Sequence, residues 1–219
     1  VSARICGTAA EAVAEVADGA TVLVGGFGMA GMPVGLVDAL LEQGASELTV
    51  VSNNAGNGDT GLAALLARGR VRKVVCSFPR QSDSWVFDDL YRSGRVELEL
   101  VPQGNLAERM RAAGAGIGAF FTPTGAGTQL AEGKETREID GRTHVLEHPI
   151  RGDVALIAAH RADRKGNLTY RKTARNFGPV MATAARHTVV QVGQVVEVGT
   201  LDPESVVTPG IYVDRVVSL

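Results

Sequence analysis

The chain has 219 residues, of which 45% are hydrophobic and 21% charged, enough apolar material for a sizeable core and too much for a disordered chain. A formal net charge of −2 excludes the basic footprint that nucleic acid demands, and no apolar run approaches the ~18 residues of a membrane span. Val1 to Cys6 lacks the long apolar segment of a secretory signal, and two cysteines suit a reducing compartment. The expectation is one cytoplasmic domain over 1–219, with no nucleic acid and no membrane as partner.

Thr8-Ala-Ala-Glu11 reads as a capping box opening a helix over 9–17. A strand over 20–24 follows, then a loop with glycines at 25, 26, 28 and 31. Pro33 is expected at the first helical position of a helix over 33–43, with Leu36, Val37, Leu40 and Leu41 on its apolar face and Gly44 as its stop. A strand over 47–51 runs into Ser52-Asn53-Asn54, ahead of a helix over 60–67, a strand over 71–76 and a helix over 84–91. Val96 to Val101 alternates Glu97 and Glu99 against apolar neighbours, as an exposed-face strand does. Pro102 to Asn105 reads as a turn, and 106–113 as a helix with Glu108 and Arg111 outward. Strand, loop and helix alternating in this way predict an α/β fold, a mainly parallel sheet with covering helices.

The second half changes character. A short strand over 119–121 precedes a Gly/Thr/Pro loop, and residues 137–146 read as an inserted β-hairpin turning at Asp140-Gly141. Asp153 to Ala159 is a buried strand, 163–167 a turn, 177–185 helical, and 187–192 and 211–217 are strands. Cys76 ends the strand expected from Val71 and reads as a buried core thiol, with no histidine near it in sequence. His144, His148, His160 and His187 are scattered without metal-ligand spacing and read as structural, so no metal is expected.

Gly26-Phe-Gly28-Met-Ala-Gly31 matches G-x-G-x-x-G between a strand and a helix, the context of a dinucleotide fingerprint. Such a site also wants an acid at the end of the next strand, and that strand ends in Ser52-Asn53-Asn54. No Gly-Lys-Ser/Thr follows to make a phosphate loop either. Spacing alone leaves two readings open: glycines that let backbone pass close to another segment, and a phosphate-type anion at the helix N-terminus.

A longer pattern narrows the choice. Asp18-Gly19-x-x-Val22-Leu23-Val24-Gly25-Gly26-Phe27, with Gly31 and Pro33, resembles the first signature of the class I CoA-transferases. Similar matches follow in order: Val51 to Gly56, Pro102 to Arg109, Arg111 to Gly114, Glu132 to Glu138, Ile150 to Asp153, Gly166 to Lys172 and Ala174 to Phe177. Over about 8 to 217 the chain is similar to the A-type chains of two-component 3-oxoacid CoA-transferases. Ala55 to Gly58 and Cys76 to Ser82 look closest to the 3-oxoadipate enzymes of aromatic catabolism.

The resemblance implies transfer of CoA from succinyl-CoA to a 3-oxoacid, with CoA as a substrate and no permanently bound cofactor. It implies a covalent glutamate nucleophile placed on a partner B subunit in a Ser-Glu-Asn-Gly-type motif, which this chain lacks. Glu11, Glu15, Glu97, Glu99, Glu132, Glu135 and Glu138 read as surface or strand-face residues, and nothing in the sequence activates Glu108 or Glu147. The expected assembly is a heterodimer with that B subunit, paired into a heterotetramer. The resemblance puts Gln103 in the oxyanion hole, where a neutral amide donor stabilises developing charge; on sequence alone it reads rather as a turn residue capping the helix that follows. It makes the loop Gly25, Gly26, Phe27, Gly28, Met29, Ala30 and Gly31 a CoA-site segment.

Asn53 and Asn54 follow a strand at the end where open α/β sheets bind ligands, and asparagine is also a turn former. Arg171, Lys172 and Arg175 could meet substrate, CoA phosphate or the partner, or form a solvated loop. Two other readings are kept: the corresponding chain of an acetoacetate-type transferase with the same mechanism, and a stand-alone nucleotide- or sugar-phosphate-binding module.

Overall fold

A computed structural model describes residues 3–219. β1, Arg4–Cys6, has no counterpart in the sequence reading; only three residues long, it pairs in parallel with the last strand of the chain. α1 is Ala9–Val13, four residues shorter at its end than expected, because the Val16 N–H turns back to the Val13 carbonyl at 3.1 Å and buries both side chains. Its cap is half the expected box. Thr8 Oγ1 accepts from the Glu11 N–H at 3.1 Å, but the Glu11 carboxylate reaches the N–H of Gly7 at 2.9 Å.

β2 is Thr21–Val24 and α2 is Val34–Gln43. Pro33 stands just outside α2 rather than at its first position, its carbonyl accepting from Leu36 and Val37 N–H at 3.0 Å each. Gly44, at φ 97°, ends the helix in the left-handed conformation that glycine adopts without cost. β3 (Leu48–Val51), α3 (Leu62–Ala67), β4 (Val71–Cys76), α4 (Trp85–Arg92) and β5 (Glu97–Leu100) follow as expected within two residues. α5, Gln103–Gly114, begins three residues early. The expected turn is its first turn, with Pro102 as the flanking cap and Leu106 N–H bonded to the Pro102 carbonyl at 2.8 Å. Gly104 and Asn105 suggested a turn, but the Asn105 amide is turned sideways to the Thr124 carbonyl and the Glu147 carboxylate.

β6 (Phe120–Thr122), β7 (Thr136–Ile139) and β8 (Arg142–Glu147) form a separate antiparallel sheet in the order β6-β8-β7. Asp140 and Gly141 carry φ of 50° and 72°, the double positive value of a tight hairpin turn. β9 (Gly152–Asp163) and β11 (Ala185–Val196) are twelve residues each and parallel along their whole length, with β10 (Leu168–Thr169) antiparallel to β9 and α6 (Gly178–Ala184) between. Both strands extend beyond their expected ends because their later halves carry polar side chains such as His160, Arg161 and Gln194, which broke the apolar pattern. β12 is Arg215–Ser218; its expected start is a 3-10 turn at Gly210–Tyr212.

The large sheet runs β1-β12-β11-β9-β2-β3-β4-β5, every neighbour on this path parallel. Alternating side chains bury on opposite faces. Val22 and Val24 meet α1 to α4 through Val13, Leu36, Leu65 and Phe87, whereas Leu23 and Ile157 meet α5 and α6 through Met110 and Met181. From β2 the chain steps outward through β3, β4 and β5, and from β9 it steps the other way through β11 and β12. The β9–β2 boundary is therefore a topological switch point, where open α/β sheets leave a crevice beyond the strands' carboxyl ends.

Candidate active site

An open cleft of about 510 Å³ lies to the β2 side of that boundary, beyond the carboxyl ends of β2 to β5. Each of four adjacent strands sends its carboxyl-end loop into the wall: Phe27 and Gly28 after β2, Asn53 and Asn54 after β3, Ser77, Phe78 and Gln81 after β4, and Gln103 after β5. The polar members converge. Gln103 Nε2 donates to Asn53 Oδ1 at 2.8 Å, and Ser77 Oγ donates to the same oxygen at 2.8 Å. Asn53 is buried, and with its oxygen turned to both Ser77 and Gln103 it takes the NH₂ side of the Gln103 amide. One N–H of Gln103 is used in this way and the other remains for a ligand. Gln103 is also the first residue of α5, whose N-terminus has no side-chain cap, so the positive end of the helix dipole adds to the donor character there.

The neighbouring asparagine differs. Asn54 is 2% exposed, its Oδ1 accepts from the Gly56 N–H at 2.9 Å, and its Nδ2 has no hydrogen-bond partner among the described residues. Ser52 Oγ, close by in sequence, is likewise buried without a partner. The apolar rim consists of Phe27 and Phe78, 51% and 61% exposed, while Met29, 70% exposed, lines an adjoining hollow.

The glycine loop is a miniature hairpin. Phe27 and Ala30 exchange both backbone hydrogen bonds, at 3.0 and 3.2 Å, around Gly28, whose φ of 58° suits the first central position of a two-residue turn. Most of its donors are spent internally, since Gly25 N–H goes to the Leu156 carbonyl and Gly26 N–H to Asn176 Oδ1. The start of α2 is also filled, because Gln191 Oε1 accepts from Gly35 and Leu36 N–H at 3.0 and 3.3 Å. A phosphate cradled on the α2 N-terminus would have to displace this cap. Gly31 serves close packing, the first of the two readings left open by spacing: a Cβ there would run into the Ala174 carbonyl.

The remaining candidates lie elsewhere. Arg171, Lys172 and Arg175 are exposed on a 3-10 turn, and Arg171 lines a different hollow, with His160 and Gln191. Among the described residues no carboxylate lines the cleft. Glu147, open in the sequence reading, is buried and held by Lys134 Nζ at 2.7 Å beside Arg109. Glu99 is half-buried rather than outward. Burial pushes its pKa up, but hydrogen bonds from Lys73 and Arg109 outweigh this and hold it below 4.5. Burial pushes the Cys76 thiol up to about 12, which leaves it protonated and inert as a nucleophile. Ser77, Gln81, Asn176 and Gln191 were not singled out from sequence. For Ser77 the signal was available, since it directly follows β4 as Ser52 follows β3; Asn176 and Gln191 act on the loop and the start of α2 from about 150 residues away.

Residues 7–219 match the protein family described as coenzyme A transferase. The chain is 69% identical over 210 residues to the A subunit of 3-oxoadipate CoA-transferase from Pseudomonas putida, covering 96% of this chain and 91% of that one. It is 54% identical over 202 residues to the A subunit of succinyl-CoA:3-ketoacid coenzyme A transferase from Xanthomonas campestris pv. campestris, covering 92% and 83%. An acyl-CoA transferase apoenzyme from Escherichia coli O157:H7 superposes with a TM-score of 0.88 at 26% identity. The superposition covers all of this chain and 47% of that one, so this chain spans about half its length.

Proposed function

The chain belongs to the coenzyme A transferase family, and from that premise we propose that it is the A subunit of a heteromeric enzyme that moves CoA from succinyl-CoA to 3-oxoadipate. The products are succinate and 3-oxoadipyl-CoA, a step of aromatic catabolism through the β-ketoadipate route. The observation that carries this reading is the 69% identity, over almost the full length of both chains, to the A subunit of a 3-oxoadipate CoA-transferase. One thioester is present on each side of the reaction, so CoA enters as a substrate and no permanently bound cofactor is required.

A carboxylate nucleophile that attacks the thioester carbonyl forms an anhydride with the acyl group and releases CoA thiolate. CoA thiolate then attacks that anhydride on the enzyme's side, giving an enzyme–CoA thioester and succinate, and the incoming oxoacid repeats the two steps in reverse. The absence of a carboxylate from the cleft wall, among the described residues, supports a nucleophile delivered by the partner B subunit. This chain's contribution is electrostatic. The second N–H of Gln103 donates to the oxyanion of each tetrahedral intermediate. Asn53 orients Gln103, and Asn54 lines the same wall, with its Nδ2 buried and unpartnered behind the surface. Phe27 and Phe78 form an apolar rim that, once the partner closes over it, keeps water from the anhydride.

The N–H groups of Gly28 and Met29 are the part of the glycine loop we assign to CoA, and the exposed Arg171, Lys172 and Arg175 to CoA phosphates or the partner. We place the chain, as one folding unit, in a cytoplasmic heterodimer that pairs into a heterotetramer. No helix of the described residues is long and apolar enough to cross a membrane.

Co-expression with the partner tests the reading. The complex should exchange CoA between succinyl-CoA and 3-oxoadipate, and borohydride reduction of the trapped thioester should mark the partner. A mark on this chain refutes the division of labour. A second reading, the corresponding chain of an acetoacetate-type enzyme, is favoured by the 54% identity to a 3-ketoacid transferase chain. Competition between 3-oxoadipate and acetoacetate decides between them, a higher kcat/KM for acetoacetate overturning the substrate proposed here.

A further inference from the structure

The glycine hairpin forms one wall of the cleft although it belongs to neither β2 nor α2. Gly26, Gly28 and Gly31 all carry positive φ, and glycine loses more conformational freedom on ordering than any other residue. The loop therefore needs an external constraint, and one side chain supplies it from the far side of the switch point. Asn176 Oδ1 accepts from the Gly26 N–H at 3.1 Å, and Asn176 Nδ2 donates to the Ala30 carbonyl at 2.9 Å. These contacts grip the two ends of the hairpin and leave Phe27, Gly28 and Met29 between them as its tip.

The gripping side chain is itself immobilised. Its Nδ2 also donates to the Thr173 carbonyl at 2.9 Å, and its Oδ1 also accepts from the Phe177 N–H at 2.7 Å. Both amide hydrogens and both oxygen lone pairs are thus engaged, the full capacity of an asparagine side chain. No other residue matches this set: aspartate lacks the donors, and glutamine is too long to keep the same backbone position. The backbone carries a cost as well. Asn176 sits at φ 20°, ψ −118°, outside the regions an L-residue favours, and Lys172 on the same turn has φ 51°. Such strain persists only where the surroundings over-determine it, and it clusters at functional sites. The contact is tight on the loop side too, because a Cβ at Gly31 would lie 2.8 Å from Asn176 Nδ2.

We propose that Asn176 is a positioning residue of the transfer site, a latch that fixes the glycine hairpin so that Phe27 and Gly28 form the cleft wall facing Gln103. The backbone of the turn Lys172–Arg175 is the base of this latch, and its charged side chains are exposed to solvent. The inference rests on the cleft being the site of CoA transfer; the geometry of the latch itself does not.

The test uses Asn176→Ala and Asn176→Gly in the full chain, alone and assembled with the partner. Glycine accepts a positive φ at lower cost than alanine, so this variant should keep the fold even if the alanine variant fails. Hydrogen exchange is read at the Gly26, Phe27 and Ala30 amides against sheet amides such as Val22 and Leu156. Protection at the three loop amides should fall about tenfold or more, the scale of losing one net hydrogen bond, while the sheet amides stay unchanged. In the assembled complex KM for the acyl-CoA should rise about tenfold with kcat held within about threefold, the pattern of lost ground-state positioning. Unchanged loop exchange in the glycine variant overturns the latch, as does an equal loss of protection across the whole sheet. The exchange readout needs no turnover, so an inactive wild-type complex would count against the proposed reaction and leave the latch to be judged by exchange alone.

Discussion

Replacing Gln103 by alanine in the assembled complex isolates the chemistry assigned to this chain. Gln103 is exposed to the cleft, and its amide makes a single hydrogen bond, to Asn53 Oδ1 at 2.8 Å. Truncation does not orphan Asn53, because Ser77 Oγ still donates to the same oxygen at 2.8 Å. The stability cost should therefore stay near that of one net hydrogen bond, about 1 kcal/mol. The catalytic cost is larger: one lost oxyanion donor lowers kcat about 10²–10³-fold, or about 3–4 kcal/mol of transition-state stabilisation. The interaction strengthens only as charge develops, so kcat should carry the loss and KM for either substrate should change little. Gln103→Glu is a sharper variant of similar shape. It replaces the donor with a carboxylate facing Asn53 Oδ1, an acceptor against an acceptor, and should be at least as inactive as alanine. The assay is steady-state thioester exchange at saturating succinyl-CoA, with the complex first shown by sedimentation to be assembled as in wild type. An alanine variant within about threefold of wild-type kcat in such a complex refutes the oxyanion role, as does a glutamate variant that outperforms alanine.

Other expectations are more local. Gly31→Ala should destabilise the chain by about 2 kcal/mol or more, since positive φ and a backbone collision combine there. Gly28→Ala, with the same sign of φ but open space around it, should cost about 1 kcal/mol; chemical denaturation of the two variants gives the comparison, and equal losses would remove the role of packing. Cys6 and Cys76 are both buried with raised pKa values, so neither should react with a thiol reagent at mildly alkaline pH until denaturant is added. For Cys76 the unfolded thiol ionises near 9.0 and the folded one only near 12, so the folded state holds the extra proton between them. Its contribution to stability should fall as pH rises through that window, and Cys76→Ser should flatten the fall. Glu99 behaves oppositely: its folded pKa lies below 4.5, so its contribution is present above that value and is lost as pH falls through the folded value. Glu99→Gln should therefore give a shallower acid limb in the pH dependence of unfolding.

The α/β alternation was legible because the first half of the chain is locally consistent. Val71 to Cys76 is a valine-rich stretch bounded by loops, and the strand has those limits. Asp140-Gly141 requires two positive φ values, and the hairpin turns there. Errors arose where long-range packing decides. β1 is too short to carry a pattern of its own and exists because β12 offers it an edge. The polar halves of β9 and β11 remain strands because each supplies the other's ladder, register after register, as far as Val196 and Asp163. α1 ends where Val16 folds back onto Val13, and no cap residue announces that stop. Pro102 did announce the start of α5; the adjacent Gly104 and Asn105 diverted the reading.

The candidate site shows the same division more sharply. Residues that directly follow strands could be found from sequence, because the carboxyl ends of parallel strands share one edge of the sheet: Gln103, Asn53 and Asn54 do converge on one cleft. What sequence could not supply was which donors remain free. The glycine loop has the spacing of an anion cradle, and in isolation its N–H groups would be available to one. In the fold, Leu156, Asn176 and Gln191 consume the donors at its base and at the start of α2. Only the tip is left to face a ligand, and Gln103, bonded to a residue that follows a strand two places away in the sheet, becomes the best-oriented donor in the cleft. A motif read by spacing counts the donors a backbone has; the chemistry depends on the donors that tertiary structure leaves unspent.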